Sequence, residues 1–169
     1  MNSPEKSKRF LLGPLGMMRS ESMKTHIQAC VWLFGKAKES IKIVGGELDH
    51  KLYEDPRIVS ALREAGNRNV SIEIIYGPEM DPVTKELMEP LWREGRVSLF
   101  RLKSRPDYHF MVVDDVYLNL EGVHLPFQEE RESWIWKTSW LGEKRAEDFL
   151  KLKARSEPHS SKEISTSSS

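Results

Sequence analysis

The chain has 169 residues, enough for one domain with a core of its own, and its 26 Lys and Arg are matched by 26 Asp and Glu. Balanced charge excludes a global field that would draw in nucleic acid or an acidic membrane, so polyanion binding has to rest on a local patch. With 38% apolar and 31% charged residues, and no run of about 18 apolar residues, the sequence reads as a soluble globular protein without a membrane-spanning segment.

Residues 1–21 form an N-terminal extension with no defined element. Its stretch "KSKRFLLGPLGMM" places basic residues ahead of apolar ones, as a signal peptide would. Gly13, Pro14 and Gly16 interrupt the apolar part and no small-residue cleavage site follows, so secretion is not expected. A single cysteine, Cys30, rules out an internal disulfide framework and any multi-cysteine zinc site. It suits a reducing cytoplasm, and packing is its expected role.

From about Ser22 to Glu39, apolar residues at Ile27, Cys30, Val31, Phe34 and Ala37 recur at helical spacing and predict a first helix with one buried stripe. "SIKIVGGEL" reads as a strand ended by two glycines. Pro56 opens the next helical pattern, with Ile58, Leu62 and Ala65 on one face and Gly66 and Asn67 at its end. "VSIEIIYGP" is a second, largely apolar strand. A third helix follows in "DPVTKELMEPLWREG", with Asp81 as N-cap, Pro82 in the first turn, Leu87, Leu91 and Trp92 as its apolar face, and a kink or early end at Pro90.

After Gly95, "RVSLFRLKS" and "YHFMVVDDVYLNLEG" supply strands three, four and five, with Asp114 and Asp115 turning the last two. "SWIWKTSW" is a further strand candidate and "GEKRAEDFLKLKAR" a closing amphipathic helix. Alternating strands and helices predict an α/β fold: a mixed, mainly parallel sheet with helices on both faces, spanning residues 22–156. The Ser-rich tail, 157–169, has too little apolar content to offset the entropy of ordering.

Alternation along the fourth strand puts His109, Met111 and Val113 on one face and Tyr108, Phe110 and Val112 on the other. Here the order of elements resembles the phospholipase D superfamily over roughly residues 35 to 155. The resemblance is carried by "IKIVGGEL", "DPRIVSALREAGNRNVSIEIIYGP", "VSLFRLKSRPDYHFMVVDD" and "AEDFLKLKAR". That family's motif is His-x-Lys-x4-Asp, then x6-Gly, then Ser and Asn positions. The resemblance implies a histidine nucleophile that attacks a phosphodiester, a second histidine that protonates the leaving group, and a lysine that holds the phosphoryl oxygens.

Laid onto the motif, His109 matches the nucleophile, Met111 stands where the lysine belongs, and Asp115 falls one residue early. Asp115 to Gly122 keeps the x6 spacing, but Val123 and Pro126 replace the Ser and Asn positions. A fixed donor aimed at transition-state charge contributes about 10² to 10³ in rate, and methionine provides none. Arg101, Lys103 and Arg105 alternate onto one face of the preceding segment and are candidate replacements, or solvated surface charges. Glu121 and His124 are further candidates for the same cleft, as are Glu47, Asp49 and His50 after the first strand. His109 itself is a candidate nucleophile, a ligand contact or a packed imidazole.

No spacing resembles a metal site, and no cofactor is implied. Trp134 and Trp136 share a strand face and, with Trp140, either pack beneath the last helix with Phe149 and Leu152 or stack bases at an interface. Family enzymes need two histidines, from duplicated halves or from two identical chains, so a single motif implies a homodimer with the two His109 residues facing across a twofold axis. Two functions follow. One is a catalytically degenerate module that binds a phosphate-containing ligand or nucleic acid, or acts as a protein-interaction scaffold or sensor. The alternative is a phosphodiesterase or nuclease working through His109 with Arg101, Lys103 or Arg105 in place of the lysine.

Overall fold

The computed structural model of the chain describes residues 17–122 and 132–160. Among the described residues, eight strands and five helices follow in the order β1 (Met17–Ser20), α1 (Met23–Lys36), β2 (Ser40–Val44), α2 (His50–Tyr53), α3 (Pro56–Asn67), β3 (Ser71–Tyr76), α4 (Pro82–Arg93), β4 (Ser98–Arg101), β5 (Phe110–Val113), β6 (Tyr117–Glu121), β7 (Ser133–Lys137), α5 (Ser139–Lys153) and β8 (Glu157–Pro158). These strands join one sheet of order β1-β7-β6-β5-β2-β3-β4-β8.

The sheet is mixed and helices cover both faces, but it is not mainly parallel. Among the described residues, the β2/β3 and β3/β4 pairs are parallel and the other five pairs are antiparallel. The two helical crossovers, which dominate the sequence pattern, account for the parallel pairs. Tight turns and added edge strands make the rest. Those edge strands lie outside 22–156: β1 comes from the N-terminal segment and β8 from the start of the Ser-rich tail.

Side-chain alternation divides the core in two. Ile41, Ile43, Ile72, Ile74, Met111 and Val113 pack against α1, α3 and α4 on one face. Val44, Ile75, Phe110 and Val112 pack against Ala146 and Phe149 of α5 on the other. Ser22, Asp55 and Asp81 cap α1, α3 and α4 by accepting hydrogen bonds from first-turn N–H groups. Pro90 does not end α4, which continues to Arg93. It falls in the last turn, where a missing N–H costs one bond rather than a helix.

Two other boundaries differ from the pattern. The first helix ends at Lys36, and Trp140 belongs to the first turn of α5 rather than to a strand. Trp136 packs with the α5 cluster. Trp134 stacks on Trp136 with ring centroids 6.2 Å apart and carries the Arg19 guanidinium over its ring, while Trp140 is exposed.

The β5–β6 turn is tight. Asp114 and Asp115 both have positive φ, 52° and 54°, and Val116 N–H donates to the Val113 carbonyl at 3.0 Å. Two left-handed residues in succession match the strand twist, and the loop between the paired Val113 and Tyr117 is three residues long. The Asp114 carboxylate also accepts from the Lys38, Glu39 and Ser40 N–H groups at 2.8 to 2.9 Å, tying the α1–β2 connection to the turn.

Helix α5 meets the same turn through Gly142, where an added Cβ would lie 2.6 Å from the Asp115 carbonyl carbon. Elsewhere in a helix, Gly→Ala stabilises by about 1 kcal/mol. At Gly142 the sign reverses: Gly142→Ala is expected to lower stability by roughly 1 to 3 kcal/mol, read as a fall in the urea midpoint.

Candidate functional site

The parallel strands β2, β3 and β4 end along one edge of the sheet, and β5, running the other way, begins there. Their loops are stitched together. Gly45 N–H donates to the Ile75 carbonyl, Gly77 N–H to the Gly46 carbonyl, and Leu102 N–H to the Tyr76 carbonyl, at 2.8 to 3.0 Å. In open α/β sheets this carboxyl edge is where ligands bind.

His109 stands at that edge. Val44 pairs with Phe110 and Phe110 with Leu120, so one step further His109 lies between Gly45 and Glu121. Glu121 N–H donates to the His109 carbonyl at 3.1 Å. The row continues through Ser133 and Ser20, since Glu121 pairs with Ser133 and Ser133 with Ser20. His109 is half-buried, and Met111, two residues on, is closed into the apolar core. The position that the motif reserves for a lysine is therefore an uncharged packing position.

A cation reaches His109 from another direction. Gly46 has no side chain, and a Cβ there would sit 3.0 Å from Arg105 Nε and 3.1 Å from His109 Nε2. The sum of these two distances caps the separation of the nitrogens at about 6 Å, so a guanidinium and an imidazole converge at this point of the edge. The Arg105 guanidinium pairs loosely with Glu47, at 3.5 Å, and both side chains are about 40% exposed. Exposed pairs of this kind contribute little, so Arg105 can exchange its partner at small cost.

The other candidates divide. Arg101 and Lys103 turn to Glu157 of β8, at 3.2 and 3.5 Å, and are not brought to His109 with Arg105. Hydrogen bonding from Arg101 and the charge of Lys103 hold the Glu157 carboxyl below the ordinary range. Asp115 lies at the opposite end of β5, roughly 20 Å from His109 at the rise of an extended strand, and its carboxylate pairs with Lys42 at 2.7 Å. A turn with two left-handed residues needs short polar side chains, and that explains this aspartate without a ligand. Asp49 caps α2, and His50 Nδ1 lies 3.1 Å from Asp81. His124, like Val123 and Pro126, lies outside the described residues. Among the described residues, no group of three or more His, Cys, Asp or Glu is placed to hold a metal ion.

His26 was not singled out by the sequence pattern. It is fully buried on α1, above the polar row. Its Nδ1 lies 3.1 Å from Ser133 Oγ, which is 2.7 Å from Ser20 Oγ, and its Nε2 lies 3.5 Å from Glu121 Oε1 and 3.7 Å from Cys30 Sγ. Burial pulls the imidazole pKa down, but electrostatic interaction and hydrogen bonding with Cys30 and Glu121 outweigh it and push the pKa up to about 10. Near neutrality His26 is then an imidazolium that offsets the Glu121 carboxylate beside His109. The available signal was the i, i+4 spacing of His26 and Cys30 on the apolar stripe of α1.

No protein-family model matches the chain, and no curated protein matches it by sequence. Its fold is similar to that of several solved structures, a phospholipase D family member among them. Against Nuc of Salmonella typhimurium, a phospholipase D family member, the TM-score is 0.70 at 17% identity over 86% of this chain and 98% of that one. Against NucT of Helicobacter pylori it is 0.67 at 12% identity over 85% and 99%. Against TrmBL2, an archaeal chromatin protein, it is 0.69 at 14% identity over 85% of this chain, which spans 55% of that protein's length. No helix among the described residues is long and apolar enough to cross a membrane.

The His26 pKa makes stability depend on pH with a fixed sign. A folded value near 10 against an ordinary 6.5 means the folded chain holds a proton that the unfolded chain releases. The stabilisation is complete below pH 6.5 and is lost as pH rises through about 10. Denaturant unfolding of wild type against His26→Leu at several pH values is expected to show wild type losing on the order of 1 kcal/mol more per pH unit across that window.

Proposed function

We propose that this chain is a phospholipase D-like module without phosphodiesterase activity, which binds nucleic acid through its phosphodiester backbone as a homodimer. The observation that carries the reading is the convergence of Arg105 Nε and His109 Nε2 over Gly46 at the carboxyl edge of the sheet. An arginine fork beside an imidazole suits a phosphate oxygen pair, and guanidinium binds it in two directions at once.

Loss of hydrolysis follows from Met111. A buried thioether cannot hold the phosphoryl oxygens in the in-line geometry, and Arg105 reaches from an exposed loop rather than from the strand that carries His109. Nucleic acid is the preferred ligand class because the fold is similar to that of a phospholipase D family member and of TrmBL2, a chromatin protein that binds DNA. A homodimer follows from the single motif, with two Arg105–His109 seats meeting across a twofold axis. The cytoplasm is the compartment that fits a chain with one buried, unpaired cysteine.

One observation favours a second reading. The same Arg105 stands close enough to His109 to take over the role of the missing lysine, which would make the protein a phosphodiesterase.

Labelled single- and double-stranded DNA titrated by fluorescence anisotropy, alongside turnover of a chromogenic phosphodiester, separates the two. We expect binding without turnover, weakened about 10- to 100-fold by Arg105→Ala, as for removal of a hydrogen bond to a charged group. Turnover that His109→Ala abolishes would establish the enzyme. Sedimentation is expected to give a dimer, and a monomer at high concentration would remove the shared cleft.

A further inference from the structure

The loop between β4 and β5 has a second side. Arg105 leans from it toward Gly46 and His109, while Pro106, Asp107 and Tyr108 wall a cavity of about 240 Å³ against α5, on the opposite face of the sheet. Tyr108 precedes His109 directly, so the two side chains leave the backbone on opposite faces.

Tyr108 is 60% exposed, unusual for a tyrosine that nothing requires at the surface. One ring face is occupied, because the Arg145 guanidinium lies 5.5 Å from the Tyr108 centroid and 5.8 Å from that of Phe110. Arg145 is itself pinned by Asp148 at 2.9 Å. Around this aromatic and guanidinium floor stand Lys151, 72% exposed and only loosely paired with Asp148 at 3.7 Å, and Arg155, which also lines the cavity. Three cations face the carboxylates of Asp107 and Asp148, so the groove is positive on a chain of zero net charge.

We infer that this groove is a second subsite for single-stranded nucleic acid, with a base stacked on the outer face of Tyr108 and the adjoining phosphate held by Lys151 and Arg155. The inference rests on the phosphodiester reading above and deepens it, since one strand draped over Pro106 and Asp107 would occupy both seats. A flat aromatic beside loosely held cations is the combination that binds single strands without base selectivity, because every base offers a π face and every linkage a phosphate. A duplex keeps its bases stacked on one another and offers none to Tyr108.

The test uses the full chain with a labelled thymidine decamer, a thymidine dinucleotide and a duplex of equal length, over a range of salt. Tyr108→Ala is expected to weaken decamer binding about 5- to 100-fold, and Tyr108→Phe to restore it. Lys151→Ala with Arg155→Ala is expected to flatten the dependence of log affinity on log salt by about 0.7 for each phosphate that is no longer neutralised.

Decamer affinity that Tyr108→Ala leaves intact, or a duplex bound as tightly as the single strand, would overturn the inference. If Arg105→Ala weakens the decamer while Tyr108→Ala does not, the groove fails and the Arg105–His109 seat stands. If wild type binds neither the decamer nor the dinucleotide, the phosphodiester reading falls and takes the groove with it.

Discussion

Asp114 and Asp115 occupy both left-handed positions of the turn between β5 and β6, and that turn sets the register of the two strands. A slip of one residue would send every side chain of β6 to the other face. Glu121 would leave the polar row, Asn119 would enter the α5 core, and Leu118 and Leu120 would be thrust among His26, Ser20 and Ser133. The turn is therefore the distant condition for what happens beside His109. Asp114 strengthens the condition by accepting three backbone N–H groups from the α1–β2 connection, so β2, which leads into Gly46, is indexed to the same point.

The polar row shows how a neutral chain prepares one edge for an anion. Glu121 next to His109 would repel phosphate if it stood alone, and burying a carboxylate there without a partner would be costly. His26 above it supplies the opposing charge from a position that solvent does not reach, while Ser133, itself bonded to Ser20, engages the remaining ring nitrogen. Arg105, coming from an exposed loop, is then the group whose charge is open to exchange. Burial thus separates a structural ion pair from a surface one that lies close by.

Much of this was legible in the chain. Proline at the start of α3 and α4, the Asp81 cap and the 3.6-residue stripes located α1, α3, α4 and α5, while the single turn of α2 was too short to signal. The faces of Phe110, Met111, Val112 and Val113 came out correctly because side chains of an extended strand alternate whatever their polarity, although all four are buried and apolar. What was not legible is non-local. A sheet with two parallel crossovers reads as mainly parallel until the pairings of its edge strands are known, and short strands such as Met17–Ser20 carry too few residues to signal. Arg101, Lys103 and Arg105 look equivalent in sequence. They part because Glu157, more than fifty residues later, pairs with the first two and the missing side chain of Gly46 admits the third. His26 was hidden by looking ordinary, as one polar residue in an apolar stripe.

Both outermost strands come from the ends of the described chain: β1 lies along β7, and β8 along β4, where His159 also donates its N–H to the Leu99 carbonyl and meets the Tyr76 hydroxyl at 2.7 Å. They are short, flanked by charge, and they cover strands whose backbone would otherwise be left open. A fragment trimmed to the recurring strand and helix pattern alone would present bare ladders along β7 and β4 and would tend to polymerise by edge pairing. The segments that look most dispensable in the sequence are the ones that keep the sheet finite.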